Sequence, residues 1–418
     1  MMNSAFWSTV LTLLLGTLTV HAQTGNLTGS PYSLFGLGVG TNSNIGKNSA
    51  LGKGGYALWG DEFINNYNPA AFAAAAQKNF MFDIGMLTEI STVSSNNNEE
   101  RRLASNISSI ALASSLSPRS GFGITLAPHS DVGYALIGIQ SNIEGSFESF
   151  VSNIFGSGGL NDLKLSYGYQ INDYINTGLG LSYLFGSINE TERIAAGTST
   201  LTVEERNGYS GLRLDLGLQA KLSERIRLGV RWQLPTSLNA ERDQIVTKVS
   251  ALLTDPDIVE NTTGEEIESF DLPLVVSTGI QINPVKSLSL NLDYSKSYWN
   301  ATEQNDNIGT FINQDIMAFG AEYLIDRNGF KYWERIQFRA GFTYDTGYLE
   351  VNNEPIDSYS ITAGLGLPLG RYGRSKINLS YTYRSGGSSE GILVQETFNT
   401  LNINVSLNDI WFLKRKIN

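Results

Sequence analysis

The chain contains no cysteine. That excludes a disulfide framework, a thiolate metal site and the lipidated N-terminal cysteine of a lipoprotein. Charge is sparse at 17%, and the 29 Lys and Arg are outnumbered by 40 Asp and Glu. No basic stretch could release counterions from a phosphate backbone, so a nucleic-acid partner is not expected. Only two histidines occur, and one of them, His21, falls in the N-terminal leader. The other, His129, has Ser130 and Asp131 only as chain neighbours, a spacing that does not orient a hydrolytic triad. A carboxylate site for Ca²⁺ around Asp255, Asp257 and Glu260 lacks a loop motif. No catalytic residue, metal or cofactor is therefore expected. Long apolar runs are also missing beyond the leader, which excludes a helix bundle as a way of crossing a membrane. A closed barrel is the other means of satisfying every backbone group in lipid.

The leader is an apolar run from Ala5 to Val20, ending in Val20-His21-Ala22 before Gln23. It has the form of a secretory signal, residues 1–22, and is shorter than the ~20 apolar residues a spanning helix requires. Export follows from it. The remainder is rich in glycine (43) and in tyrosine and phenylalanine (19 of each), a turn-rich and aromatic-rich balance that favours all-β structure.

From Asn79 onward the sequence keeps returning to period-two alternation. Leu163, Leu165, Tyr167, Tyr169 and Ile171 alternate with Lys164, Ser166, Gly168 and Gln170. Leu212, Leu214, Leu216 and Leu218 alternate with Arg213, Asp215, Gly217 and Gln219, and the same holds along 225–234 and 336–345. One face is apolar and the other polar. A soluble sandwich also alternates, but these segments approach twice the ~5–6 residues of a globular strand and match the ~9–11 of a transmembrane one. Short links at 117–120, 172–174, 223–224, 283–287 and 369–375 are interleaved with long ones at 96–102, 188–207, 240–269, 300–309 and 386–394. Short turns on one side and long loops on the other are the pattern of bacterial outer-membrane barrels. The expected fold is a transmembrane antiparallel β-barrel of about 14 strands over 79–418, monomeric and resident in the outer membrane. Its inward charges, Lys164, Arg213, Asp215, Arg227, Arg231, Asp293 and Arg339, are expected to pair across the lumen.

Residues 23–78 read differently, opening on Ser30-Pro31-Tyr32 and ending in an alanine-rich run. A segment this short buries too little surface to fold alone, and a barrel of this strand number leaves a lumen that side chains do not fill. It is expected to lie inside the barrel as a hatch.

Gly52-Lys53-Gly54-Gly55-Tyr56-Ala57, Asp61, Asn65 and Asn68-Pro69-Ala70, directly followed by the first strand, resemble the FadL-like outer-membrane transporters of long-chain fatty acids and other hydrophobic compounds. Ser30-Pro31-Tyr32 and Val132-Gly133-Tyr134 resemble the version of that family found in Bacteroidetes. The resemblance implies a hatch motif at Gly54, Gly55, Asn68, Pro69 and Ala70, and a lateral opening at a kink in the third strand. Here that strand meets Pro128-His129-Ser130-Asp131, where a proline that cannot donate to a ladder should interrupt pairing; a plain bulge is the alternative. Passive uptake of a hydrophobic small molecule is the function implied. The alternative is a barrel that acts as partner or scaffold in protein secretion or surface-protein assembly.

Two segments carry a period nearer that of a helix. Phe147, Phe150, Val151, Ile154 and Phe155 fall at offsets 0, 3, 4, 7 and 8, and Ile245, Val249, Leu252 and Leu253 at 0, 4, 7 and 8. Each is expected to be a helical loop stripe, either packing on the rim or, as the resemblance suggests, forming a landing surface for ligand. The final strand from Leu401 ends in Ile410-Trp411-Phe412, which resembles a barrel-assembly signal.

Overall fold

The computed structural model describes residues 28–410, apart from 42–44, 61, 76–78, 96–97, 143–148, 251–255, 305–308, 371–373 and 390–392. The leader, Phe147, Leu252, Leu253, Trp411 and Phe412 lie outside the described residues.

The chain forms a closed antiparallel barrel of 14 staves. In chain order these are β1 (Asn79–Ser95), β2 (Asn98–Ser117), β3 (Ser120–Pro128) with β4 (Ser130–Asn142), β5 (Ser149–Gln170), β6 (Ile175–Ala196), β7 (Ser199–Lys221), and β8 (Ile226–Gln233) with β9 (Thr236–Ser250). The remainder are β10 (Asp257–Leu272) with β11 (Val275–Val285), β12 (Leu288–Ser297), β13 (Gln314–Leu324), β14 (Gln337–Asp345), β15 (Ser358–Leu369), β16 (Ser375–Gly387) and β17 (Gln395–Ile410). Closure is made by β1, which pairs with β17 from Asn79↔Ile410 to Ser94↔Gln395 and on its other side with β2. Closure leaves no edge at that seam, which is what a sheet in hydrocarbon requires.

Alternation turns the protein inside out. On β7, Leu212, Leu214, Leu216 and Leu218 are exposed, while Arg213, Asp215 and Gln219 are buried, Asp215 completely. Leu163 and Leu165 face outward with Lys164 and Ser166 buried between them. A water-soluble sheet would place the leucines inside; here the greasy face suits lipid and the polar face closes on the lumen. No helix among the described residues is long and apolar enough to cross a membrane.

Two expected loops are strands. Residues 188–207 continue β6 and β7, which run 22 and 23 residues and stay paired up to Ala196↔Ser199. Residues 240–250 and 257–269 belong to β9 and β10, which pair from Thr236↔Leu272 to Lys248↔Asp257. These segments lost their apolar alternation because they rise above the leucine band, where both faces meet water and neither needs to be greasy. Together with β4 and β5 they form a wall at the end of the barrel opposite Asn79 and Ile410. The helical reading of both apolar stripes is likewise overturned. Phe150, Val151, Ile154 and Phe155 belong to β5, and Ile245 and Val249 to β9.

Three staves are interrupted. The seventh breaks at Leu234-Pro235 and the eighth at Pro273-Leu274, in each case where proline withholds a ladder donor. The third breaks at His129, with wider consequences. Below the break β3 pairs with β2 from Ser117↔Ser120 to Ile110↔Leu126 and with β5 up to Pro128↔Asn161. Above it β4 still follows β5, from Val132↔Gly158, but among the described residues it does not pair with β2.

Candidate functional site

Inside the barrel, residues 28–75 fold as turns linking three short 3-10 helices, Pro31–Leu34, Asn48–Ala50 and Pro69–Ala74. Proline sits at the start of the first and third, where its missing N–H is no loss. Asn68 caps the third, its Oδ1 accepting from the Ala70 amide at 3.0 Å. The same amide side chain faces the wall: Nδ2 donates to the carbonyls of Tyr56 (3.0 Å), Leu218 (3.2 Å) and Val230 (3.2 Å). One asparagine thus joins two parts of the segment to β7 and β8. Asn65 does similar work within the segment, donating to the Gly55 and Leu58 carbonyls, both at 2.8 Å.

The helix can come this close because the wall beneath it is glycine. Gly121 pairs with Gly168, Gly168 with Gly178, and Gly178 with Gly217, so four adjacent staves place a glycine side by side on the lumenal face. A Cβ at Gly178 would lie 2.3 Å from the Ala70 nitrogen, and one at Gly217 2.2 Å from Asn68 Oδ1. Of two further glycine pairs, Gly229 receives the Tyr56 backbone and its partner Gly279 the Asp293 carboxylate and the Ala57 amide, while Gly320 with Gly341 receive Leu51 and Gly52. This belt was missed in the sequence. Gly168, Gly217, Gly229 and Gly341 all stand in the polar half of the alternation, and that recurrence was the available signal.

The inward charges are mostly held along the wall, between neighbouring or next-but-one staves, not across the lumen. Asp215 joins Lys164 and Arg231, the latter with Nη2 at 2.6 Å and Nε at 3.1 Å. Arg339 meets Glu322 at 2.7 Å, and Arg213 donates to the Leu234 carbonyl at 3.0 Å and to that of Pro273. Arg227 lies over the Trp59 ring at 4.7 Å. Asp293 takes no cation: it accepts from the amides of Gly55 and Tyr56, each at 3.0 Å. Gly54 lies so close that a Cβ there would meet the Asp293 carboxylate at 2.3 Å. Gly54 and Gly55 are therefore where the segment seats on β12.

A cavity of about 410 Å³ remains between this segment and the upper barrel. Its roof is aromatic. Trp299 stacks on Phe311 (5.3 Å between centroids) and on Tyr348 (5.4 Å), and Phe270 meets Phe311 edge-on at 6.0 Å. Tyr348 also donates to the Gly38 carbonyl at 2.8 Å, tying roof to segment. The floor is ionic, carrying Lys164, Arg213 and Arg231, and the flank is formed by Ala127, Pro128, His129 and Ser130. A smaller cavity of about 90 Å³ adjoins it and is lined by Asp131; both cavities are lined by Lys53. Burial first, and then the Arg384 charge, pull the Lys53 amine down to about 8. Lys53 also adopts φ 60°, in the left-handed region that side chains avoid.

The seam between β2 and β4 opens beside this cavity. Thr41 lies along it, its amide donating to the His129 carbonyl at 2.9 Å and its Oγ1 to that of Pro128 at 2.6 Å. Val39 and Gly40 pair with Asp131 and Ser130. Thr28 bridges the two sides: its amide donates to Asp131, and its carbonyl accepts from Arg102 of β2 at 2.9 Å. Pro128, His129, Ser130 and Asp131 are thus brought together with residues 28–41. Phe150, Val151, Ile154 and Phe155 lie apart, on the wall, and do not line either cavity. Among the described residues no group of three His, Asp or Glu is placed to hold a metal.

The fold and this interior define a 14-strand barrel with three interrupted staves and with residues of 28–75 folded against its lumenal wall. The chain belongs to the BamG family, which it matches over residues 2–418. No curated protein sequence matches it. Its fold is similar to that of solved structures at low identity. The toluene transporter TodX of Pseudomonas putida has 15% identity and a TM-score of 0.59, over 90% of this chain and 98% of that one. The toluene transporter TbuX of Ralstonia pickettii has 16% and 0.56, over 88% and 98%. A FadL homologue of Pseudomonas aeruginosa has 13% and 0.57, over 89% and 98%.

Proposed function

We propose that the protein is an outer-membrane channel, exported by its cleaved leader and monomeric, for passive uptake of hydrophobic small molecules of fatty-acid-like character. Ligand enters between the wall and the aromatic roof, occupies the cavity, and leaves sideways through the seam into the bilayer. Residues 23–78 act as the hatch that separates this route from the lower lumen. The single observation that carries the reading is that the cavity is flanked by the third stave at its break, through Ala127, Pro128, His129 and Ser130. A hydrophobic solute there has a lipid-facing exit, while the glycine-seated hatch blocks the aqueous one. An aromatic roof over an ionic floor, where Asp162 and Asp293 line the cavity beside Lys164, Arg213 and Arg231, suits a molecule with an apolar body and a single polar end. The fold shared with toluene transporters supports the same direction, as does the resemblance to the Bacteroidetes version of FadL-like barrels.

The test is to replace Pro128-His129-Ser130-Asp131 with alternating Val and Thr so that the third stave continues. In cells carrying this barrel as their route for radiolabelled toluene or oleate, uptake is expected to fall to the level of cells without it. Uptake unchanged in the variant would overturn the seam as exit.

A second reading, a partner in protein secretion or surface-protein assembly, is favoured by the wall. β6 and β7 at 22 and 23 residues are about twice what a membrane crossing requires, and a small-molecule channel has no need of the excess. A stoichiometric protein co-purifying from detergent extracts would support it.

A further inference from the structure

The wall terminates on one side in β10. This strand is paired with β9 along its length, and among the described residues nothing pairs with its opposite edge. Only Leu272 at its foot is buried, and Ile258 and Val259 are exposed at 62% and 58%. It carries Asp257, Glu260, Glu265, Glu266, Glu268 and Asp271 and no cation. At Gly264, φ is +67° and the register shifts; the Gly264 amide donates to Asp243 at 2.9 Å. This bulge separates an upper run, 257–262, from a lower one, 265–272, and the register with β9 shifts once more within each, between Ile258 and Glu260 and between Ile267 and Phe270.

We infer that the free edge of β10 is a docking site for an extended, cationic β-strand of another protein, added to the wall through backbone hydrogen bonds.

An open edge presents a row of unpaired amides and carbonyls, the template on which strand addition operates. The charge on β10 then selects what can use it. A second copy would set six acids against six, and like charges directly opposite are destabilising. An acidic or purely apolar strand gains little, whereas Lys or Arg at alternate positions meets the carboxylates of one face, Glu266 and Glu268, with Glu265 left on the opposite face. The wall's other margin is not equivalent, because Val39 and Gly40 already occupy the foot of β4 at Asp131 and Ser130. The inference deepens the reading as a protein partner and rests on it, but it is independent of whether the lumen conducts.

The experiment uses the full purified chain in nanodiscs and three fluorescent peptides of roughly twelve residues, long enough to pair with either run. One alternates Lys and Val, one alternates Glu and Val, and one has the Lys/Val composition interrupted by prolines. Binding is read by anisotropy and located by amide hydrogen exchange. The Lys/Val peptide is expected to bind and to slow exchange across 257–271. The proline peptide should bind about tenfold more weakly and the Glu/Val peptide not at all. E265K/E266K/E268K should reverse the preference, and E265Q/E266Q/E268Q, which keeps the side-chain shapes, should abolish it if the reversal fails to fold. Equal binding of the Lys/Val and proline peptides without protection of β10 would show loose charge attraction and overturn the inference. Protection at another edge, or no binding, would also overturn it. A co-purifying partner found despite such a result would leave the partner reading standing and remove only β10 as its site.

Discussion

If the hatch is held by the glycine belt, adding one methyl group at its centre should unseat it. Gly178 is the sharpest position, because its Cβ would sit 2.3 Å from both the Ala70 nitrogen and the Pro69 carbonyl carbon, and 2.6 Å from the Pro69 oxygen. All three are backbone atoms of a proline-led helix and cannot rotate aside. Restoring ordinary contact moves the helix away from the wall by roughly 1 Å, since buried carbon pairs settle near 3.5–4 Å. The bonds from Asn68 Nδ2 to Leu218 and Val230, both already at 3.2 Å, would then exceed hydrogen-bonding distance. Losing two buried hydrogen bonds and the close packing costs about 2–4 kcal/mol. That shifts a seated-to-displaced equilibrium by roughly 30-fold to 1,000-fold, at tenfold per 1.4 kcal/mol. Gly178→Ala should therefore raise ion conductance in planar bilayers and expose residues 28–75 to protease, while the barrel remains closed. Gly208→Ala is the control: its Cβ would have only the Glu241 carbonyl near it, at 3.9 Å. Wild-type conductance and protease resistance in Gly178→Ala would refute the seating.

Asn68→Ala should destabilise the hatch without any steric push, by about 1–3 kcal/mol, through loss of the cap and of the two amide hydrogens shared among three carbonyls; it should increase conductance less than Gly178→Ala. Asp215→Ala leaves Lys164 and Arg231 buried without their shared carboxylate, and unfolding by urea in lipid vesicles should show a loss of about 3–5 kcal/mol. Lys53 gives a pH dependence. Its amine is held at about 8 in the folded protein, below the 10.5 of a free lysine, so the cost of burying its charge is fully present below pH 8. That cost is relieved as pH rises from 8 to 10.5, so hatch stability should increase over this window. Lys53→Met should abolish the increase and raise stability at pH 7. Lys53→Gly should stabilise further, because it also relieves the left-handed backbone.

The barrel was legible where strands cross the leucine band. There one face must be apolar and the other polar, so 163–171 and 212–220 read as strands with the correct face outward, and the count of 14 follows from such segments. Where the same strands climb above the band, nothing enforces alternation, and 188–207 and 240–269 read as loops. The apolar residues of β5 from Phe150 to Phe155 fit a helical period by spacing alone; Val151 to Phe155 pair in unbroken register with β6. The resemblance singled out Asn68-Pro69-Ala70 but not what that turn meets. Its partners are backbone carbonyls and lumenal glycines on staves 100 and more residues away in sequence, and a glycine in a polar register carries no mark of what approaches it. The aromatic roof was invisible for a similar reason: Phe270, Trp299, Phe311 and Tyr348 come from four separate segments that only barrel closure brings together.

The side exit can be tested directly by photolabelling. Purified barrel in nanodiscs would be irradiated with a diazirine-bearing monoaromatic hydrocarbon, and the adducts mapped by peptide mass spectrometry. The account predicts adducts on Trp299 and Phe311 in the roof and on 127–130 at the seam, all competed away by excess unlabelled toluene. Adducts confined to the outward leucines, with none at the seam, would contradict it.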